Sequence, residues 1–198
     1  MIRKLIAFVA TLVAVGTLGV MPVREHNNSY QVITPVNQYV ETVTSLANKY
    51  NLNKEYAIYV DFSKPANQHR LYLINIKTQK VEYSWYTSHG SGSNAADKAR
   101  RFSNVPGSNK SSLGVMKTGK TYVGKHGLSR KLIGLEKGKN DNAEVRFIVL
   151  HSANYVTQEY VNTYGDPGMS YGCITLNPKD YKRIIMLLGE NSLVYVNA

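Results

Sequence analysis

Cysteine is all but missing from this 198-residue chain, where Cys173 stands alone. A single thiol excludes an intramolecular disulfide framework and leaves too few thiolates for a cysteine-rich structural zinc site. Acidic side chains are scarce too: 13 Asp and Glu face 24 Lys and Arg, a formal net charge of +11. That surplus suits anionic partners, among them nucleic acid, acidic lipid and anionic cell-wall polymer. Low-complexity tracts and internal repeats are lacking, so the chain reads as a globular domain with a short segment at one end. Charge is absent altogether from Leu5 to Pro22.

That uncharged run follows Arg3 and Lys4 and has the form of a secretory signal, with a basic n-region and an apolar h-region. Gly16 and Gly19 each end a candidate cleavage triplet. Residues 1–22 are therefore expected to be a signal peptide, with an uncleaved membrane anchor as the alternative, since about 17–25 apolar residues span a bilayer. Either way the remainder is exported to the periplasm or cell envelope, where nucleic acid is not an expected partner and the membrane is met only through that anchor. Residues 23–53 read as a polar linker and then a helix. Thr34 is placed as N-cap and Pro35 at the first helical position, and Val36, Val40, Val43 and Ala47 recur at helical spacing.

Residues 54–198 read as one mainly β domain. Fifteen tyrosines against four phenylalanines, together with many Val, Ile and Thr, favour strands. YAIYVDFS, HRLYLINI and VEYSWYTS alternate as three strands, the last two forming a hairpin across KTQK. Ser88 to Ser112 is a Gly-, Ser- and Asn-rich loop long enough to be functional or mobile. GVMKTGKTYVGKHGL is expected to be a second hairpin with Gly119 near its turn. VRFIVLHS is expected to be a strand from Val145 to Ser152, with His151 on the face of Phe147 and Val149 and Arg146 pointing the other way. Asn177 caps a final helix that starts at Pro178 and ends at Gly189, followed by the strand NSLVYVNA.

The chemistry centres on Cys173. A free thiol with a pKa near 8.5 is only slightly ionised at neutral pH and needs an adjacent base to become a strong nucleophile. His151 ends one strand and Cys173 precedes the next, so two neighbouring strand ends would bring imidazole and sulfur together. Gly172 lets the chain turn tightly, which would aim the amides of Gly172 and Cys173 at a developing oxyanion. The plainer reading is a small buried apolar residue, as lone cysteines often are. A zinc site built from His89, His126 and His151 lacks the close spacing such sites use.

The stretch HS at His151, a loop, and SYGCITL from Ser170 resembles the murein L,D-transpeptidase catalytic domain family, often called YkuD-like. Its signature is a His, an intervening stretch, and Ser/Thr-His-Gly-Cys. YVDFSKP, SHGSGS, FSNVPGSNKSSLG, YVGKHGLS and GLEKGKNDNAEVRFIVLHSANYV are similar to one branch of it, in the same order. The resemblance implies a YkuD-like curved β-sandwich with a few short helices, preceded by an N-terminal helix. It also implies a cysteine acyltransferase that forms a thioester on a peptidoglycan stem peptide and passes it to an amine, without metal or cofactor. Cys173 then matches the nucleophile, His151 the base, the Ser152 carbonyl the group that orients the imidazole, and Gly172 with Cys173 the oxyanion turn. His126, Tyr171, Ser170 and Tyr122 are the candidate substrate-binding residues, His126 in KHGLS as a donor-pocket or oxyanion group or else a structural histidine. Tyr171 stands where the signature has His, and the loop before it is slightly long; both bear on donor and acceptor. An L,D-carboxypeptidase on the same acyl-enzyme path and a non-catalytic wall-binding module are the alternatives.

Overall fold

The computed structural model describes residues 35–94 and 96–198. The expected leader, the linker and the Thr34 cap lie outside the described residues. No helix among the described residues is long and apolar enough to cross a membrane.

Helix α1 (Pro35–Lys49) buries Tyr39, Val40, Val43 and Ala47, while Val36, expected on the same stripe, is 41% exposed. Eight strands among the described residues follow: β1 (Asn53–Asp61), β2 (Leu71–Asn75), β3 (Lys80–Trp85), β4 (Gly114–Gly124), β5 (Gly127–Gly134), β6 (Val149–Ser152), β7 (Ile174–Leu176) and β8 (Ser192–Asn197). They form one sheet in the order β3-β2-β1-β8-β4-β5-β6-β7. Pairing is antiparallel except for β1 with β8 and β6 with β7.

Alternation along the central strands divides the core. Ala57, Tyr59, Tyr72, Ile74, Val115 and Leu193 pack beneath α1. Ile58, Val60, Leu71, Leu73, Met116 and Val194 face the other way, toward helix α3 (Pro178–Leu188) and its Tyr181, Ile184, Ile185 and Leu188. Leu150, Ile174 and Leu176, from the far end of the strand order, enter that second core beside Leu71 and Leu73. Both ends of the sheet thus wrap one helix, which gives the mainly β, curved architecture. Asn177 caps α3 by accepting from the Asp180 amide, as its sequence position implies. The curl is fastened across the gap: the Thr175 amide donates to Thr87 Oγ1 at 3.2 Å, and the Thr175 hydroxyl to Ser88 Oγ at 2.8 Å.

Two expectations are corrected. Gly119 does not sit at a turn: β4 runs on to Gly124, the hairpin closes at Lys125 and His126 between Gly124 and Gly127, and Gly119 lies at a bulge between Thr118 and Thr121. There its carbonyl accepts from the buried Arg130 at 2.8 Å. The strand expected from Val145 begins only at Val149. Val145 and Phe147 are exposed, and Phe147 takes a left-handed φ of 55°. The Arg146 amide bonds the Asn142 carbonyl at 2.8 Å and the Ile148 amide bonds that of Ala143 at 2.9 Å, winding this stretch into turns. Asn104 holds it from outside, accepting from the Asn142 amide at 3.0 Å. The Ser88–Ser112 segment is laced to itself, with Gly90 donating to Ser111 Oγ at 3.0 Å and Ser111 to Ser93 Oγ at 2.9 Å.

The corrected strand boundary has a measurable consequence. Val149→Ala is expected to lower the stability to urea by about 2 kcal/mol, as deletion from a packed core does, and Val145→Ala by less than about 0.5 kcal/mol. Equal costs would restore Val145 to the sheet.

Candidate active site

His151 owes its position to β6, which pairs with β5 on one side (Ser129↔His151) and in parallel with β7 on the other (His151↔Thr175). Leu150 and Ile174, opposite each other, are both buried in the core, so the register is fixed by their packing. Cys173 is the residue immediately before β7. The two therefore line one cleft of about 430 Å³, together with Lys125, His126, Tyr155, Ser170 and Tyr171.

Ser170 builds the turn before the cysteine. Its hydroxyl donates to the Cys173 carbonyl at 2.8 Å and accepts from the Gly172 amide at 3.1 Å. Its backbone joins the 88–93 segment, the Ser170 amide donating to the His89 carbonyl at 2.9 Å and the Ser91 amide to the Ser170 carbonyl at 2.7 Å. That segment is anchored in turn by Arg70, which is fully buried and donates to the Thr87 carbonyl at 2.7 Å and meets His89 Nδ1 at 2.9 Å. Burial pulls the Arg70 guanidinium down to about 10, with Asp166 and Asp61 opposing. Gly172 has φ 112°, and a Cβ there would stand 2.7 Å from the Lys110 carbonyl and 2.8 Å from Ile148 Cδ1. Only glycine fits both the angle and the space.

The imidazole of His151 is 2% exposed. Its Nδ1 lies 2.9 Å from the Ser152 carbonyl, which can only accept, so Nδ1 carries the hydrogen and Nε2 keeps its lone pair. Burial lowers the His151 pKa below the ordinary 6.5, the Ser152 bond raises it, and His126 and Lys125 lower it further. His126 stacks on it, ring centroids 4.3 Å apart and planes 19° from parallel. Cys173 is partly exposed, and its Sγ donates to the Phe147 carbonyl at 3.5 Å. Burial pushes this thiol up, while the Val149 N–H, Lys125 and Arg146 pull it down. Both directions favour the uncharged forms of the thiol and the imidazole at neutral pH.

Of the other expected substrate-binding residues, Tyr171 is 70% exposed at the cleft rim, and Ser170 and His126 line the cleft. Tyr122 lies elsewhere, in a neighbouring cavity of about 470 Å³ shared with Leu132, Phe147 and Val149. Sequence reasoning passed over Tyr155, whose hydroxyl is pushed up to about 12 by burial and by Cys173, with Ser88 opposing. Its place in HSANYV, four residues past His151, was the available signal. Arg130 is 5% exposed and donates to the Gly119 and Ile185 carbonyls, so it serves the hairpin and not the cleft. Among the described residues no group of three or more His, Cys, Asp or Glu side chains converges on a metal-binding point.

The chain belongs to the L,D-transpeptidase catalytic domain family, whose family model matches residues 27–197. No curated protein matches it in sequence. Among solved structures, an L,D-transpeptidase from Mycobacterium smegmatis is 13% identical with a TM-score of 0.44, over 73% of this chain and 59% of its own. One from Stackebrandtia nassauensis is 14% identical with a TM-score of 0.42, over 83% of this chain and 67% of its own. A helical cell shape determining protein of Campylobacter jejuni is 12% identical with a TM-score of 0.47, over 82% of this chain and 56% of its own. The chain thus spans about three fifths of the length of the Mycobacterium smegmatis protein.

Gly172→Ala tests the turn before Cys173. It is expected to destabilise the protein by at least about 1 kcal/mol and to slow iodoacetamide labelling of Cys173, because the backbone must leave its left-handed angle. Unchanged melting and labelling would show that the turn tolerates a side chain.

Proposed function

We propose that this chain is an exported cysteine L,D-transpeptidase acting on peptidoglycan stem peptides. The supporting observation is the pairing of His151 and Cys173 in one cleft, with His151 Nδ1 committed to a backbone carbonyl and Nε2 left to take a proton. Family membership supplies the substrate class, and the +11 charge suits an anionic polymer.

The reaction runs in two halves. Cys173 turns its sulfur from the Phe147 carbonyl toward His151, and Nε2 removes the thiol proton as sulfur attacks the donor's amide carbonyl. The resulting oxyanion is met by backbone N–H. The Gly172 amide is committed to Ser170 Oγ at 3.1 Å, so the Cys173 amide is the donor assigned to the oxyanion. Collapse breaks the C–N bond, the imidazolium protonates the departing amine, and a thioester remains. An acceptor amine then attacks the thioester carbonyl, His151 takes the amine's proton, and the thiolate leaves and is reprotonated from the same nitrogen.

Because thiol and imidazole both start neutral, proton transfer accompanies attack instead of preceding it. Burial depresses His151, so the base stays unprotonated below pH 6.5, and the acid limb of kcat/KM falls below that value. By the same linkage, the stability that neutral His151 gives the fold is present above pH 6.5 and lost as the pH falls through its lowered pKa. Muropeptide mass analysis with an added amine is expected to show the transfer product from wild type and none from Cys173→Ala. His151→Ala is expected to lower the rate at least ~100-fold. Unchanged products from either variant would refute the mechanism, and an acid limb at or above pH 6.5 would refute the neutral pair.

A further inference from the structure

Arg146 was expected to point away from the chemistry, yet the turn that replaces the first half of the expected strand brings it beneath the nucleophile. Its Nη1 donates to the Ser103 carbonyl and, at 2.6 Å, to Ser112 Oγ. Its Nη2 donates to the Lys110 carbonyl and, at 3.3 Å, to Ser108 Oγ. All four partners are neutral, so the guanidinium is held in place without being neutralised.

The same Lys110 carbonyl underlies the cysteine turn. A Cβ built on Gly172 would stand 2.7 Å from that oxygen and 3.5 Å from Arg146 Nη2. The next residue, Phe147, offers the carbonyl that receives the Cys173 thiol. Arg146 thus lies beside Gly172, and Phe147 meets the Cys173 sulfur itself. The other charged or titratable groups around Cys173 are Lys125 and His126 on the β4–β5 turn, His151 on β6 and Tyr155 beyond it. Lys125 and His126 sit on an exposed hairpin tip, and Tyr171, where the family signature has His, cannot carry a positive charge. Arg146 alone among these is both permanently charged and fixed by several bonds.

We propose that Arg146 is the built-in positive charge of this active site: pinned by four neutral oxygens beneath Gly172, it braces the nucleophile turn and stabilises the negative charge that forms on the Cys173 sulfur. The proposal rests on the acyl-transfer reading of Cys173 and adds a positioning residue to it. A guanidinium suits the task because it stays protonated through every step and its planar fork spans several acceptors at once. Lys125 acts on the same sulfur from the exposed hairpin tip, whereas Arg146 acts from a position fixed by four hydrogen bonds. Burial raises the Cys173 thiol, and the Val149 N–H, then Lys125, then Arg146 oppose it; Cys173 in turn raises Arg146 against its own burial.

The test is the pH profile of iodoacetamide labelling of Cys173, with muropeptide transfer measured alongside, in wild type, Arg146→Gln and Arg146→Lys. In Arg146→Gln the midpoint is expected to rise by about one unit, making labelling roughly 10-fold slower at neutral pH. Arg146→Lys is expected to keep the midpoint within about 0.3 unit while lowering kcat, since one ammonium replaces the charge but not the fork. A folded glutamine variant with the wild-type profile overturns the proposal. So does a folded lysine variant whose midpoint climbs as far as expected for glutamine, which decides the matter if the glutamine chain does not fold. Failure of both to fold assigns Arg146 to the scaffold alone and overturns the charge role. If wild type makes no transfer product while the labelling profiles shift as expected, the acyl-transfer reading fails and the charge assignment stands.

Discussion

Two very short strands in parallel register carry this site. β6 and β7 share the pairs Leu150↔Ile174, His151↔Thr175 and Ser152↔Leu176, and a slip of one residue would turn the imidazole to the opposite face. So few parallel pairs have little stability of their own, because parallel sheets depend on cover from both sides. Here the cover comes from Leu150, Ile174 and Leu176 in the α3 core, from the Tyr181 hydroxyl donating to the Leu150 carbonyl at 3.0 Å, and from the Ala153 amide donating to the Leu176 carbonyl at 2.9 Å. The curl of the whole sheet serves this junction, since Thr87 and Ser88, just beyond β3, are what reach Thr175.

Around the junction the polypeptide uses backbone more than side chains to fix the reactive groups. The Ser152 carbonyl selects the imidazole tautomer, the Phe147 carbonyl holds the thiol, and the His89 and Lys110 carbonyls shape the turn from Ser170 to Cys173. Backbone oxygens do not titrate, so the arrangement survives changes of pH that alter His151 itself. The price is Gly172, whose left-handed angle only glycine adopts without strain.

Much of the site was legible because its parts are local. HS and SYGC place an imidazole, a tight turn and a sulfur in short quoted stretches, and the mostly β alternation located β1, β2, β3 and β8 within a few residues. What sequence could not supply is what long-range contact decides. V-R-F-I-V-L alternates as a strand should, yet Arg146 bonds oxygens some forty residues earlier in the chain, and Asn104 grips Asn142, so the first half winds into turns. Gly119 reads as a turn residue until Arg130 is seen claiming its carbonyl across the hairpin. The short helix α2 (Gln158–Tyr164), capped by Thr157, hid in a stretch with too few apolar positions to show a period.

The hydrogen-bonded thiol of Cys173 also bears on its durability. Peroxide oxidation and thiol–disulfide exchange proceed through the ionised sulfur, and both are slow on a thiol that keeps its hydrogen. With its S–H turned to the Phe147 carbonyl and its pKa raised by burial, the lone sulfur is a poorer target for stray oxidants than a free thiolate. The same burial that raises the thiol thereby helps to preserve the one cysteine in the sequence.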